Sequence, residues 1–216
     1  MNTRFKIAVL SAFFLCLPFF AGAFEAQVGF NRASMDGFDC DENDCTAEPV
    51  FFPSIAVGIE MQKDIFLFLM ADVLNYEIKS EFKGDEEFTV KVDSTSFTGF
   101  LVPRFETFDL RLGYGVVNES YDFTLDNKIK DQLASSGITN FKVDYEDSSG
   151  TQVVYGLDVK LSEMILIGVE RRDLNIDVKG EITYDYLGTS YTEKLDDSDN
   201  NHSKTVFRLA ISFSGK

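Results

Sequence analysis

The sequence predicts an all-β protein: a single eight-stranded antiparallel up-and-down transmembrane β-barrel. Apolar and polar residues alternate with a period of two along most of the chain, which is typical of strands that bury one face. Eight such segments follow one another, and the connections between them tend to alternate between short and long. After residue 23 the chain has no run of about 20 apolar residues, the length that a membrane-spanning helix needs.

The first 23 residues are predicted to be a secretory signal peptide, which leaves residues 24–216 for the barrel domain. Arg4 and Lys6 precede an apolar stretch at 7–20, and Ala21-Gly22-Ala23 supplies the small residues of a cleavage site. A membrane anchor fits this segment less well, because the stretch is short for a span and Pro18 interrupts it. We therefore expect an exported chain.

The strands are assigned from the alternation. They cover residues 26–31, 52–62, 65–73, 87–105, 109–116, 152–161, 165–172 and 207–213. Short turns are expected at 63–64, 106–108 and 162–164, and long polar loops at 35–51, 126–150 and 187–203. Ile129 and Leu133 lie one helical turn apart and predict a short helix within 126–137. The apolar positions change from odd to even numbers after Val169, which predicts a β-bulge near Arg171 and Arg172.

One face of the strands is apolar, and we expect it to contact lipid. The predicted lipid-facing residues are Ile55, Val57, Ile59, Leu110, Leu112, Tyr155, Leu157, Ile165, Ile167, Phe207, Leu209, Ile211 and Phe213. The opposite face carries small residues such as Gly58, Gly113 and Gly156. Small residues make room inside a narrow eight-stranded barrel, whereas glycine on a solvated outer face would only weaken the strands.

The polar face also carries balanced charge, although the whole chain has a formal net charge of −16. Charges enclosed in a narrow lumen have to pair, because an unpaired buried charge costs several kcal/mol. The balance therefore predicts that this face lines the interior as a lumen charge network. Its predicted members are Glu60, Asp72, Arg104, Asp109, Arg111, Asp158, Lys160, Glu170, Arg172 and Arg208.

These patterns resemble the small outer-membrane β-barrel family of the OmpA/OmpX type. Residues 154–162 and 165–172 are similar to the hairpins of that family, and residues 207–213 to its C-terminal insertion signal, although three residues follow Phe213. The resemblance implies short periplasmic turns, long extracellular loops and a place in the Gram-negative cell outer membrane. The implied partners are outer-membrane lipid, lipopolysaccharide and, during biogenesis, the barrel-insertion machinery.

Few residues are candidates for chemistry. Cys40 and Cys45 are expected to form a disulfide after export. His202, the one histidine, lies beside Ser203 in the last predicted loop and is expected to be solvated. The acidic residues of the loops lack the spacing of a calcium loop and predict a solvated acidic rim. We expect no metal, no cofactor, no catalytic residue and, given the negative charge, no nucleic-acid partner.

Four functions remain open from the sequence, of which the fourth, a barrel-type lipid enzyme, would need His202 in a His/Ser/acid site. The first is a non-enzymatic outer-membrane barrel with a structural or surface-interaction role and a lumen plugged by salt bridges. The second is a narrow channel for ions or small solutes. The third is a soluble periplasmic lipocalin-like carrier of an apolar ligand, which would turn its apolar face inward. The sequence identifies no surface ligand.

Overall fold

The structure is a computed structural model that describes residues 24–36, 44–82 and 85–215. The predicted signal peptide and Cys40 lie outside the described residues, as does the side chain of Cys45, so the expected disulfide stays a prediction.

Strands make up almost the whole of the described chain. In chain order the elements are β1 (Phe24–Asp36), β2 (Asp44–Ala47), β3 (Val50–Gln62), β4 (Ile65–Phe82), β5 (Asp85–Pro103), β6 (Phe108–Leu125), α1 (Asn127–Ser135), β7 (Ile138–Tyr145), β8 (Ser148–Lys160), β9 (Ile165–Tyr186) and β10 (Thr189–Gly215).

Eight strands form a closed antiparallel ring in the order β1, β3, β4, β5, β6, β8, β9 and β10. The ring closes because β10 pairs with β9 on one side and with β1 on the other, from Phe24↔Gly215 to Asp36↔Ser203. Of the remaining strands, β2 pairs with the far end of β4 and β7 with the far end of β9. The prediction of an all-β, eight-stranded antiparallel up-and-down barrel is confirmed.

The connections differ at the two ends of the barrel. At one end the ring strands are joined by the three predicted short turns, which the structure places at 63–64, 104–107 and 161–164. At the other end the predicted loop at 187–203 is wrong, because β10 begins at Thr189 and pairs with β9 as a long hairpin. Polar composition suggested a loop there, yet backbone hydrogen bonds to β9 keep these residues extended. Leu187 and Gly188 form the turn, and both have positive φ, as the twist of a two-residue hairpin turn requires.

The predicted bulge near Arg171 and Arg172 is also wrong. The register of β9 with β8 and with β10 runs through both residues without a shift. Glu170, Arg172 and Leu174 are all buried and point inward, so the inward face stays on even-numbered residues. What changes is the chemistry of that face, because the residues that follow Arg172 on it are apolar.

The barrel therefore has two zones. In the lower zone, next to the short turns, inward residues are largely polar or charged and outward residues are apolar. In the upper zone the pattern is inverted. On β9, Leu174 and Ile176 are buried while Asp173 and Asn175 are exposed. The upper zone thus has the pattern of a water-soluble barrel, and the lower zone the reverse.

The inward apolar residues of the upper zone pack into two clusters. The larger contains Ala33, Phe52, Leu74, Tyr76, Ile78, Val90, Val92 and Val206. The smaller contains Val117, Leu174, Ile176 and Val178. These clusters hold the strands together beyond the lower zone, so the ring strands extend well past their charged interior.

The predicted short helix is confirmed as α1. Asp126 caps its first turn, where its carboxylate accepts a hydrogen bond from the Lys128 backbone N–H at 2.7 Å. The helix buries none of its residues and precedes the short strand β7. Among the described residues, no helix has both the length and the hydrophobicity to cross a membrane.

Two inward glycines make room for phenylalanine rings in the lower zone. Gly58 lies opposite Phe68 across β3 and β4, and Gly113 lies opposite Phe100 across β5 and β6. A Cβ atom on Gly58 would come within 2.6 Å of the Phe68 ring, and one on Gly113 within 2.7 Å of the Phe100 ring. Each ring occupies the space above a glycine, so these two inward glycines make room for aromatic rings rather than for charged side chains.

We expect Gly58→Ala to destabilise the barrel by about 1–3 kcal/mol, because overpacking forces a buried ring or the backbone to shift. The measurement is urea unfolding of the barrel folded in lipid vesicles. Gly99→Ala is the matched control, since its new Cβ would meet its nearest neighbour at 3.7 Å, an ordinary contact. Equal destabilisation by the two substitutions would contradict this account.

Candidate functional site

The interior of the lower zone holds a continuous set of buried ion pairs, which we call the lumen network. At its centre, Arg111 contacts Asp158 at 3.4 Å and Glu170 at 3.3 Å. Arg208 forms a second, close ion pair with Asp158. Arg172 donates to Glu170 from Nε at 2.9 Å and from Nη2 at 2.6 Å. These five side chains are at most 3 % exposed, so each charge depends on the others for its stabilisation.

The network continues toward the short turns. Arg104 joins Glu25, at 2.7 Å, to Asp109, at 3.2 Å, and Lys160 reaches Asp109 at 2.9 Å. Glu25 also accepts hydrogen bonds from Gln27 and from the hydroxyl of Ser212. These contacts tie β1, β6, β8 and β10 to the turn after β5 at the lower mouth.

The network ends in the opposite direction at Asp72. This carboxylate accepts from Arg172 Nη1 at 2.8 Å and from the Ser96 hydroxyl at 2.9 Å. Arg172 therefore links Asp72 to Glu170 and spans from β9 to β4 across the lumen.

The lumen network contains nine of the ten residues predicted from sequence. The exception is Glu60, which is half-buried near the end of β3 and accepts from the Asp64 backbone N–H in the following turn at 3.3 Å. None of the ion pairs among the described residues involves it. Glu25 takes the place of the fifth acid. It was missed because the first strand was started at residue 26, although the alternation through Gln27 extends back to it.

With Glu25 included, the lumen network has five acids and five bases and is formally neutral. Its members are Glu25, Asp72, Asp109, Asp158, Glu170, Arg104, Arg111, Lys160, Arg172 and Arg208. Neutrality matters in a closed interior, because an excess charge there would have no counter-charge and little water.

Aromatic rings fill the space between the ion pairs. The guanidinium carbon of Arg104 lies 4.1 Å from the centre of the Phe66 ring, and that of Arg111 lies 4.2 Å from the centre of the Phe100 ring. Cation–π contacts of this kind stabilise a desolvated arginine by about 2 kcal/mol. Phe68 and Met70 pack beside them. The cross-section is therefore occupied by alternating rings and charges.

The outer surface of the lower zone is apolar. The residues predicted from sequence to face lipid all point outward: ten are exposed, and Val57, Ile59 and Ile211 are half-buried. Leu112 is 54 % exposed and Phe207 53 %. Inward Arg111 and Arg208, their direct neighbours in sequence, are 1 % and 3 % exposed. The predicted lipid-facing residues and the outward residues of β4 and β5 together form a continuous apolar band around the barrel.

A separate group of polar side chains, the upper cluster, lies inside the apolar core of the upper zone. Glu119 contacts Lys204 Nζ at 3.1 Å, accepts from the Tyr121 hydroxyl at 2.8 Å and lies 3.4 Å from the Tyr76 hydroxyl. The expectation that His202 is solvated is wrong: it is 4 % exposed, on the inward face of β10. The error follows from reading this segment as a loop rather than a strand.

The upper cluster shifts the pKa values of its members. Burial raises the pKa of Glu119, but the charges of Lys204 and His202 and the Tyr121 hydrogen bond outweigh burial, so the carboxyl pKa lies below its ordinary value. Burial lowers the pKa of Lys204, and the charge of Glu119 opposes this. Burial and the nearby Glu119 charge raise the pKa values of Tyr76 and Tyr121. The cluster is therefore held as an ion pair flanked by neutral phenols.

The chemistry that this interior offers is ion pairing. Within the described part of the chain, no group of three or more His, Cys, Asp and Glu side chains is arranged to hold a metal ion. The carboxylates of the lumen network are each bound to a guanidinium or ammonium group. The arrangement cross-links the strands and occupies the lumen.

Replacing Glu119 tests the upper cluster. Because its pKa is lowered in the folded state, Glu119 contributes stability that is present above its ordinary pKa of 4.5 and is lost as the pH falls through the lower folded-state value. We expect Glu119→Gln to destabilise the barrel by about 3 kcal/mol at pH 7, since Lys204 is left buried without its partner. The difference from the unsubstituted protein should shrink below pH 4.5. The measurement is the free energy of unfolding in urea between pH 7 and pH 3.

Glu77→Gln is the matched control for this experiment. Glu77 pairs with Lys91 at 3.5 Å on the outer surface, where both side chains are about half exposed. An exposed pair contributes at most about 1 kcal/mol. If Glu119→Gln cost no more than Glu77→Gln, or kept its deficit at low pH, the ion pair would not be the stabilising contact.

The chain was compared with protein families, with curated protein sequences and with solved structures. No protein-family model and no curated protein sequence matches the chain. Among solved structures, the chain is similar to the outer membrane protein OprG from Pseudomonas aeruginosa, with 19 % identity and a TM-score of 0.59 over 89 % of this chain and 96 % of that one. It also matches the Escherichia coli Outer Membrane Protein W, with 14 % identity and a TM-score of 0.44 over 89 % and 98 % of the two chains.

At these identities the comparison describes the fold alone. The similarity to OprG covers nearly all of both chains, and its TM-score is above the level at which a shared fold is expected. The closed ring, the apolar outer band and the charged interior agree with it. The resemblance to small outer-membrane β-barrels inferred from sequence is confirmed: this chain has the fold of a bacterial outer-membrane β-barrel.

Proposed function

We propose that this protein spans the outer membrane of a Gram-negative bacterium as a non-enzymatic, closed barrel with a structural or surface-interaction role. The observation that carries the proposal is the pairing of an apolar outer band with a neutral, buried lumen network at the same height. The proposal therefore depends on how apolar and charged side chains are distributed across the whole lower zone, and not on any single residue.

The arrangement of the lower zone argues against a soluble carrier. A lipocalin-like barrel would bury its aliphatic face and expose its charges. Here Leu157, Ile167 and Leu209 are 37–46 % exposed, whereas Arg208 and Glu170 are at most 3 % exposed. A band of aliphatic side chains around a whole barrel would be costly in water, but in lipid it needs no cover.

The packing of the lumen argues against an open channel. An eight-stranded barrel is just wide enough for side chains to fill it. Arg111, Phe68 and Phe100 are among the largest fully buried side chains. A permeating ion would have to displace paired charges from one another, at a cost of several kcal/mol.

The upper zone supplies the surface for interaction. The ring strands continue beyond the apolar band, and β7, β9 and β10 form a three-stranded extension with α1 beside it. Outward residues there are polar, as for Asp173 and Asn175. We place this zone outside the cell, in contact with lipopolysaccharide. We also assign residues 207–213 as the segment that the barrel-insertion machinery reads, since Phe207, Leu209 and Phe213 form an outward apolar row.

Cell fractionation and gel electrophoresis test the location. We expect the protein in the outer-membrane fraction, soluble only with detergent, and with a gel mobility that changes on boiling because a closed barrel resists unfolding in detergent. A protein that stays in the aqueous fraction and shows one mobility would contradict the proposal and favour the soluble carrier.

Planar-bilayer recording tests the closed lumen. We expect no discrete conductance from the unsubstituted protein, but conductance steps from the double variant Arg111→Ala, Phe100→Ala. This variant removes the two central side chains that stack on each other, while Asp158 keeps Arg208 and Glu170 keeps Arg172. Leu112→Ala, on the outward face of the same strand, is the control and should stay silent. Conductance from the unsubstituted protein would establish a channel.

A further inference from the structure

Two arginines stand out at the upper edge of the apolar band. Arg32 lies on the outward face of β1 and Arg171 on the outward face of β9, and both strands flank β10. Arg32 is exposed and Arg171 is half-buried. Both arginines therefore lie on the same side of the barrel.

The strand register fixes how far apart the two arginines lie and where they lie relative to the apolar band. Arg32 is paired with Phe207 of β10, and Phe207 is paired with Val169 of β9. Phe207 and Val169 are the last apolar outward residues of their strands, since Thr205 and Arg171 follow them upward. Two strand spacings and two residues separate the arginine Cα atoms, or about 12 Å. The pair thus lies where lipid tails would end and headgroups begin.

The rest of the band edge carries no such pair. On the strands across the barrel, the first polar outward residues above the band are Asn75, Thr95, Asn118 and Thr151. Among the described outward residues at this level, cationic side chains occur only on the β1–β10–β9 side. In a chain with a formal net charge of −16, two outward arginines about 12 Å apart at the band edge form a local positive site.

Hydroxyl groups lie between the two arginines. Arg171 Nη1 donates to Thr205 Oγ1 at 3.2 Å, and its Nη2 donates to Ser203 Oγ, both on β10. Ser34 of β1 is paired with Thr205. The Arg171 guanidinium is therefore held across β10 toward Arg32. Asp173 also contacts Arg171 Nε, at 3.5 Å, and lowers the net charge of the site.

We propose that Arg32 and Arg171, with the hydroxyls of β10 between them, bind a phosphate group on the headgroup of an outer-leaflet glycolipid such as lipid A. Guanidinium groups bind phosphate through paired, charge-assisted hydrogen bonds, and serine and threonine hydroxyls add further donors. The lipid source follows from continuity with the apolar band: Phe207 and Val169 lie directly below the site, where the acyl chains of the same molecule would run.

This inference rests on the proposed function, because a lipid can occupy the site only if the band is embedded in a membrane. It goes further by naming one lipid site and its residues. An acidic outer surface would otherwise repel an anionic leaflet, and a phosphate bound at this edge would hold one fixed lipid against the barrel.

Native mass spectrometry of the detergent-solubilised, full-length folded protein tests the site. The probes are bis-phosphorylated lipid A, lipid A with both phosphates removed, and inorganic phosphate as a competitor. We expect bound bis-phosphorylated lipid A, and at least tenfold weaker binding of the dephosphorylated lipid. Because each guanidinium supplies charge-assisted hydrogen bonds to the phosphate, Arg32→Ala with Arg171→Ala should weaken binding of the phosphorylated lipid at least tenfold.

Two further variants sharpen the result. Asp173→Asn removes the carboxylate beside Arg171 and should tighten binding of the phosphorylated lipid several-fold. Lys91→Ala removes a cation from the outer surface at a greater height on β5, where it pairs with Glu77, and should leave binding unchanged. Equal losses from Lys91→Ala and from the double arginine variant would indicate general electrostatic attraction and overturn the site.

The remaining outcomes are also decisive. Equal binding of the two forms of lipid A would show that the acyl chains alone are held, and inhibition by inorganic phosphate at stoichiometric concentration would show a site for free phosphate. Either result overturns the proposal. Each variant is first checked for the gel-mobility change on boiling. If the unsubstituted protein shows the mobility change but binds no lipid, only the lipid site is overturned. If the unsubstituted protein shows no mobility change, the proposed function is overturned as well.

Discussion

Charge neutrality in a closed lumen is the constraint on which the rest of this structure depends. An eight-stranded ring has no room for bulk water, so every charge inside it must meet a counter-charge on another strand. The register sharpens this demand, because Asp109 and Asp158 are direct cross-strand neighbours on β6 and β8 and both point inward. Two adjacent carboxylates would drive the strands apart. Arg104 and Lys160 satisfy the first, and Arg111 and Arg208 the second, so the repulsion is converted into contacts that also reach the turn after β5 and strand β10.

With the apolar band in a membrane, as proposed, the inversion between the two zones follows from what surrounds the ring. Side-chain direction alternates along β9 without interruption, yet the buried residues change from Glu170 and Arg172 to Leu174 and Ile176. A strand in lipid needs no apolar interior, because its outer face is already favourably solvated by acyl chains. A strand in water needs one, because burial of apolar surface is then the main source of stability. One continuous strand thus satisfies both solvents by exchanging the chemistry of its faces where the apolar band ends.

This inversion also explains how much of the fold could be predicted from sequence. The ring, its short turns, helix α1 and nine members of the lumen network follow from period-two alternation and charge balance. The apolar interior of the upper zone did not follow, because the change of apolar positions after Val169 was attributed to a shift of the backbone rather than to a change in the chemistry of the two faces. Polar outward residues then made the start of β10 look like a loop, and His202 was therefore expected to be solvated. Pairings across the lumen, such as Arg172 with Asp72, depend on register and barrel closure, which no local pattern contains.

The upper cluster raises a different question, since Glu119 and Lys204 form an ion pair within an apolar core that an isosteric apolar pair could fill. Such a pair contributes little net stability once desolvation is counted. The ion pair instead favours one register of the strands over the alternatives. Glu119 on β6 and Lys204 on β10 meet across the interior of the ring, and Tyr76 on β4 and Tyr121 on β6 complete the contacts. A slip of one residue in β6 or β10 would turn a charge outward and leave its partner buried alone, at a cost of several kcal/mol. Apolar residues tolerate such slips far better than charges do. The ion pair therefore fixes the register of the upper zone, where the ring is no longer held by the lumen network below.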